Sequence, residues 1–206
     1  SRGIREHYFP RTSGDCLPSD QVTLPVALAD RMDMLSVAFS LKMIPSGSAD
    51  PYALRRMAQG VVQIVLGKQL PLGWKELSSL SVQILRDQQE FSNESDILEK
   101  QLVDFLDQRE RWYLQEKGFR HDLIDAVLKP TSGTPLNRLN FASTLSEDLN
   151  LPEFKKSVEA VVRAINITNK YAEESQAAKL EKGSLNHEAE LALYQALEAM
   201  ALDSES

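Results

Sequence analysis

The sequence predicts an all-α protein built from two helical units. Apolar residues recur at three- and four-residue spacings through one segment after another, as the buried stripes of amphipathic helices do. No stretch alternates apolar and polar residues for long enough to demand a strand. Proline, glycine, serine and aspartate fall between the periodic segments, where chain reversals are expected. With 42% hydrophobic and 26% charged residues over 206 positions, the chain has material for a packed core and lies outside disordered and coiled-coil compositions.

A short helix over residues 4–8 opens the chain and gives way to a turn-rich stretch holding Pro10, Ser13, Gly14, Asp15 and Pro18. Residues 22–41 follow as a largely buried helix, with Val26, Leu28, Ala29, Met32, Leu35, Val37, Ala38 and Phe39 apolar and Pro25 near its start. After the turn at 45–48, Asp50 and Pro51 read as an N-cap and a first-turn proline, so a helix is expected over 51–67 on the stripe Leu54, Met57, Ala58, Val61, Val62, Val65. Another is expected over 74–86. The polar run 87–95, broken by Phe91 alone, is the best candidate for a domain join, placed after Asn93. The longest helix is expected over 96–117, closed by Gly118 as a C-cap. Residues 122–128 and 135–145 read as shorter helices on either side of a loop at 130–134. Residues 151–170 and 185–200 read as the last two, joined by an acidic, lysine-containing link at 172–183 that reads as a solvated helix extension or a mobile loop.

Net charge is −7, and splitting the chain after Asn93 gives 10 Lys/Arg against 9 Asp/Glu before it and 13 against 21 after it. Total charge therefore argues against a nucleic-acid surface, and any support for one must come from local grouping. Cys16 is the one cysteine, which excludes an internal disulfide and a cysteine-based zinc site. No apolar run approaches the roughly 20 residues of a membrane span. The opening residues carry Arg2, Arg5, Glu6 and His7 in place of an apolar signal core, so a soluble protein is expected.

His7, His121 and His187 lie far apart, without metal-ligand spacing, and read as surface or packing residues. No phosphate-cradling glycine loop or paired-histidine motif is present. Asp30 and Asp33 stand one turn apart and would need partners from elsewhere to hold a cation; the plainer reading is solvated carboxylates beside Arg31 or Arg55. Basic positions with RNA potential are Arg55–Arg56, Arg109 and Arg111 beside Trp112 and Tyr113, Arg138, Lys155–Lys156, Arg163 and Lys170. Trp112 and Tyr113 read first as core or half-buried residues.

The run Ala27-Leu-Ala-Asp-Arg-Met-Asp33, followed by Ile44-Pro-Ser-Gly-Ser-Ala-Asp-Pro-Tyr-Ala-Leu-Arg-Arg56 and Gly60, resembles the β chain of bacterial-type glycyl-tRNA synthetases. Arg5-Glu-His-Tyr8 with Pro10 and Arg11, Phe119 to Leu128, Pro135-Leu136 with Arg138, and Arg163 to Ile167 extend the likeness over nearly the whole chain. The resemblance implies the end of an HD-like helical body over 1–93 and, over 94–206, a helical bundle like the anticodon-binding domain of arginyl-tRNA synthetases. Asp30 resembles the last aspartate of an HD metal set whose other ligands are not in this chain, so neither a metal site nor a catalytic residue is expected here. The abrupt opening is what an internal piece of a longer protein would show, with the polar end 203–206 as the natural C-terminus.

By this resemblance the chain grips the anticodon arm of tRNA-Gly, while a catalytic α chain or α-like domain activates glycine with ATP and Mg²⁺ in an oligomeric parent enzyme. No cofactor, DNA or membrane contact is expected in this part. No motif fixes the RNA-contacting positions; Arg109, Arg111, Arg138, Arg163, Asn166 and Lys170 are candidates by chemistry and placement. Departures such as Ser40-Leu-Lys-Met43 lean toward a plastid or mitochondrial member, the alternative being a bacterial cytoplasmic one. A competing reading is a helical scaffold for subunit association with little tRNA affinity of its own, which the balance of −8 after Asn93 favours. An HD-type phosphohydrolase is the least supported, because its ligand set is incomplete.

Overall fold

The computed structural model describes residues 2–88, 95–129, 133–171 and 187–203, and among them every regular element is a helix. In chain order these are α1 (Arg2–Glu6), α2 (Thr23–Ser40), α3 (Leu54–Gly67), α4 (Trp74–Gln88), α5 (Ser95–Glu116), α6 (His121–Leu128), α7 (Pro135–Asp148), α8 (Pro152–Tyr171) and α9 (Glu188–Asp203). The chain divides into two compact units, Ser1–Leu151 with α1 to α7 and Pro152–Ser206 with α8 and α9.

Local chemistry sets the helix starts. Asp20 receives hydrogen bonds from the Val22 and Thr23 amides at 3.0 and 2.6 Å and from the Thr23 hydroxyl at 2.9 Å, satisfying donors that a helix N-terminus leaves open. Pro25 falls in the first turn of α2, where its missing N–H costs nothing. α3 begins three residues later than Asp50 and Pro51 suggest, because residues 50–53 form a separate turn with Ala53 left-handed at φ 54°. Asp50 still caps the helix from that turn, accepting from the Leu54 and Arg55 amides at 2.8 and 3.0 Å. α5 ends where expected: Gly118 has φ 85°, a conformation glycine adopts without steric cost, and the Phe119 amide returns to the Leu114 carbonyl at 3.2 Å.

In the first unit α3 is the central helix, with every residue from Ala58 to Leu66 buried. A helix buried on nearly all sides must be surrounded, and α2 and α5 both pack against it. Leu35, Leu54, Ile64, Leu102 and Leu106 are fully buried, each contributing about 1.5–3 kcal/mol by area removed from water. Phe39 of α2 meets Phe105 of α5 with ring centroids 5.1 Å apart, in the tilted geometry aromatic pairs favour. A smaller core holds Leu114, Leu123, Ile124, Val127 and Ala142, which fixes α6 and α7 on the end of α5.

Packing divides the chain at Leu151/Pro152, while the expected domain join after Asn93 falls between two helices of the first compact unit. Leu98, Leu102, Phe105 and Leu106 of α5 lie in one core with α2, α3 and α4, so the polar run before α5 is a connection between packed helices. Residues 89–94 of that run, 130–132 of the expected loop and the link at 172–183 lie outside the described residues.

In the second unit, α8 has an apolar stripe at Val158, Val161, Val162 and Ile165, each 43–57% exposed. No helix among the described residues is long and apolar enough to cross a membrane.

Candidate nucleic-acid interface

Successive helical residues point about 100° apart, so Arg109, Glu110 and Arg111 of α5 face three different surroundings. Glu110 is fully buried. Its carboxylate accepts from Trp74 Nε1 at 2.6 Å and from Arg138 Nε and Nη2 at 2.9 and 2.5 Å, and Arg138 Nη2 also donates to Asp107 at 3.0 Å. Burial pushes both the Glu110 and the Asp107 carboxyls above their ordinary range, and Arg138 pulls each back down. Arg138, 11% exposed, therefore ties α7 to α4 and α5 and spends its fork on internal carboxylates, where the sequence offered it to RNA. Nothing in the sequence pairs it with Glu110, 28 positions away.

Arg111 donates to Asp125 of α6 at 2.5 Å, and His121 Nδ1 lies 3.0 Å from the other carboxylate oxygen. The Arg111 hydrogen bond is the main reason the Asp125 carboxyl sits below its usual range. Both partners are partly exposed, so Arg111 has a solvent face but an occupied head group. Arg163 and Asn166 are exposed on α8. Lys170 belongs to the same helix, and its side chain lies outside the described residues.

Arg109 faces a different way. It lines a cleft of about 380 Å³ with Arg11, Arg55, Arg56, Gln59 and Trp112. Its guanidinium lies 5.8 Å from the Phe105 ring centroid, and its Nε is buried without a hydrogen-bond partner. Desolvation lowers the Arg109 pKa first and the neighbouring Arg55 charge lowers it further; Asp50 acts the other way. Arg55 donates to the Gly47 carbonyl at 2.7 Å, and Arg11 stacks over Phe9 at 5.0 Å. Among the described residues no carboxylate forms an ion pair with any of the four arginines. Gln59 is 8% exposed, and both amide atoms are buried without partners. An unsatisfied buried amide costs about 1–3 kcal/mol, so the cleft carries a polar debt as well as excess charge.

The cleft wall at residues 10–13 is held by the motif residues themselves. Arg31 is 6% exposed and donates to the carbonyls of Ala27, His7, Tyr8 and Pro10 at 2.8–3.2 Å. Gly60 makes room for it: a Cβ there would stand 2.6 Å from Arg31 Nε. Ser13 donates to Glu116 of α5 at 2.7 Å. Asp30 and Asp33 are exposed, and among the described residues no three His, Cys, Asp or Glu side chains gather as a metal-binding group. The grouping of Arg11, Arg55, Arg56 and Arg109 escapes sequence reading because these residues come from three separate segments.

Helices that keep their buried carboxylate inside a hydrogen-bonded network and turn four guanidiniums, without an ion-pairing carboxylate among the described residues, to one cleft define an all-helical module with an arginine-lined cleft. The chain belongs to the glycyl-tRNA synthetase β subunit family, whose model matches residues 1–129. It is 41% identical over 170 residues to the glycine–tRNA ligase β subunit of Halalkalibacterium halodurans, covering 82% of this chain and 24% of that protein. Against the Bacillus subtilis β subunit it is 37% identical over 167 residues, 81% of this chain and 23% of that one. The match to the Lactobacillus delbrueckii subsp. bulgaricus β subunit, 35% identical over 202 residues, covers 98% of this chain and 29% of that protein. The chain thus spans about a quarter of the length of the curated relatives it matches.

Proposed function

We propose that this chain is a tRNA-binding part of a glycine–tRNA ligase, holding tRNA-Gly while glycine is activated with ATP and Mg²⁺ on a catalytic α chain or α-like domain. Family membership carries this reading, since the relatives named above are glycine–tRNA ligase β subunits. The local grouping of unpaired arginines supports it in a chain whose total charge, −7, does not. Residues 94–206 are the part assigned to the anticodon arm, with Arg163 and Asn166 as its exposed polar positions and Lys170 beside them in sequence. Arg111 reaches RNA only by sharing or leaving Asp125, and Arg138 acts by holding α7 in place.

Titration of the chain against fluorescent tRNA-Gly and an anticodon-swapped tRNA-Gly over a salt series tests the reading. Binding that favours the native anticodon and falls steeply with salt is the expected result, because displaced counterions drive phosphate contacts. Equal affinity for both tRNAs would remove the anticodon assignment, and no binding by the folded chain at low salt would remove the tRNA role. The stripe Val158, Val161, Val162, Ile165 favours a second reading, in which the second unit serves subunit association. Self-association or α-chain binding without tRNA affinity would mark that outcome.

A further inference from the structure

The cleft between α3, α5 and residues 10–13 combines three features that internal packing leaves unexplained. Four guanidinium groups share it with no ion-pairing carboxylate among the described residues. Gln59, more than nine-tenths buried, lines it with both amide atoms unpartnered. Arg109 Nε is likewise buried and unpartnered, and the nearby Asp50 directs its oxygens at the Leu54 and Arg55 amides. Like charges gathered in a partly dry site favour an occupant that is anionic, rich in acceptors and compact. A phosphate group meets all three conditions: planar guanidiniums match its oxygens in pairs, and an amide N–H₂ adds a neutral donor. Trp112, 37% exposed, forms an apolar wall suited to a base or sugar attached to that phosphate.

We propose that Arg11, Arg55, Arg56, Arg109 and Gln59 form a binding pocket for one phosphate group, a site distinct from the exposed positions Arg163 and Asn166 on α8. The phosphate comes either from an RNA backbone or from a free phosphate or mononucleotide. Arg109, partly buried, and Gln59, buried, line the cleft with unpartnered donors that reach a ligand by a small side-chain rotation, and Arg56, exposed and without an ion-pair partner among the described residues, supplies the outer charge. The pocket stands on the cleft's own geometry, so a free phosphate or mononucleotide would fill it whether or not the chain binds tRNA.

The test uses the full chain, with Trp112 fluorescence and calorimetry, titrated at low salt with inorganic phosphate, with AMP and with tRNA-Gly. Variants Arg56→Gln, Arg109→Gln and Gln59→Leu remove one donor set each, and Arg120→Gln, an exposed residue paired with Asp122, is the control. Circular dichroism confirms that each variant is folded. Saturable phosphate or AMP binding that weakens tenfold or more in Arg109→Gln and Arg56→Gln, but not in Arg120→Gln, supports the pocket with a free ligand. If tRNA alone binds, a tenfold loss and a salt slope shallower by about one per arginine removed assign the phosphate to RNA. Binding of any of the three probes that the folded cleft variants leave unchanged overturns the pocket and spares the tRNA reading. No binding by any probe overturns both, and phosphate binding without tRNA binding overturns the tRNA reading alone.

Discussion

Gly60 shows how a single absent methyl group organises the first unit. Its α-carbon faces the Arg31 side chain, whose guanidinium is held by four backbone carbonyls and so cannot swing aside as a surface arginine would. Gly60→Ala should therefore destabilise the protein by about 1–3 kcal/mol through overpacking, read as a lower urea midpoint with unchanged slope. An unchanged midpoint would mean that Arg31 moves freely. The Ala27–Asp33 and Ile44–Arg56 motifs were legible in the sequence as family marks. Their physical task was not, because the donor Arg31 and its acceptors at His7, Tyr8 and Pro10 are more than 20 positions apart.

At the scale of elements, α5 joins the two cores of the first unit and carries the buried carboxylate that binds α4 and α7 to it. Because burial raises the Glu110 pKa in the fold, its contribution to stability is largest below the unfolded value and is lost as pH rises through the folded one. The neutral variant Glu110→Gln lacks that term. The stability gap between the wild type and Glu110→Gln should widen in favour of the wild type as pH falls from 7 toward 4, measured by urea denaturation at each pH. A gap independent of pH would mean that Glu110 titrates as it does in the unfolded chain. The helices themselves were readable from periodicity, since side chains three and four apart share a face. The delayed start of α3 was not, because Asp50 caps it across a turn with Ala53 at φ 54°. Nor was the internal use of Arg138, since ion pairs between helices leave no local signature.

For the whole molecule, the division into units follows from where apolar side chains are buried. Both cores draw only on residues before Leu151, so a chain ending at Leu151 should fold alone and unfold cooperatively in urea, with retained helical circular dichroism. A non-cooperative transition would show that the first unit depends on the second. The polar run at the expected join after Asn93 connects helices that share a core, a packing relation that composition does not reveal because it rests on contacts between α4 and α5. Net charge is a coarse guide for a similar reason. It sums all exposed groups, whereas a ligand responds to the few it can reach.

Arg31 gathers the carbonyls of His7, Tyr8 and Pro10, and the strand of chain it secures runs directly into Arg11, Thr12 and Ser13, which form one side of the cleft. Binding there and the docking of this segment are thus thermodynamically reciprocal: whatever free energy the docked segment lends to an anion, the anion must return to the segment. In amide hydrogen exchange, occupancy of the cleft would slow opening at Arg11 and Asp15, whose backbone amides bond to Asp15 Oδ2 and the Thr12 carbonyl, while leaving the centre of α3 at the global rate.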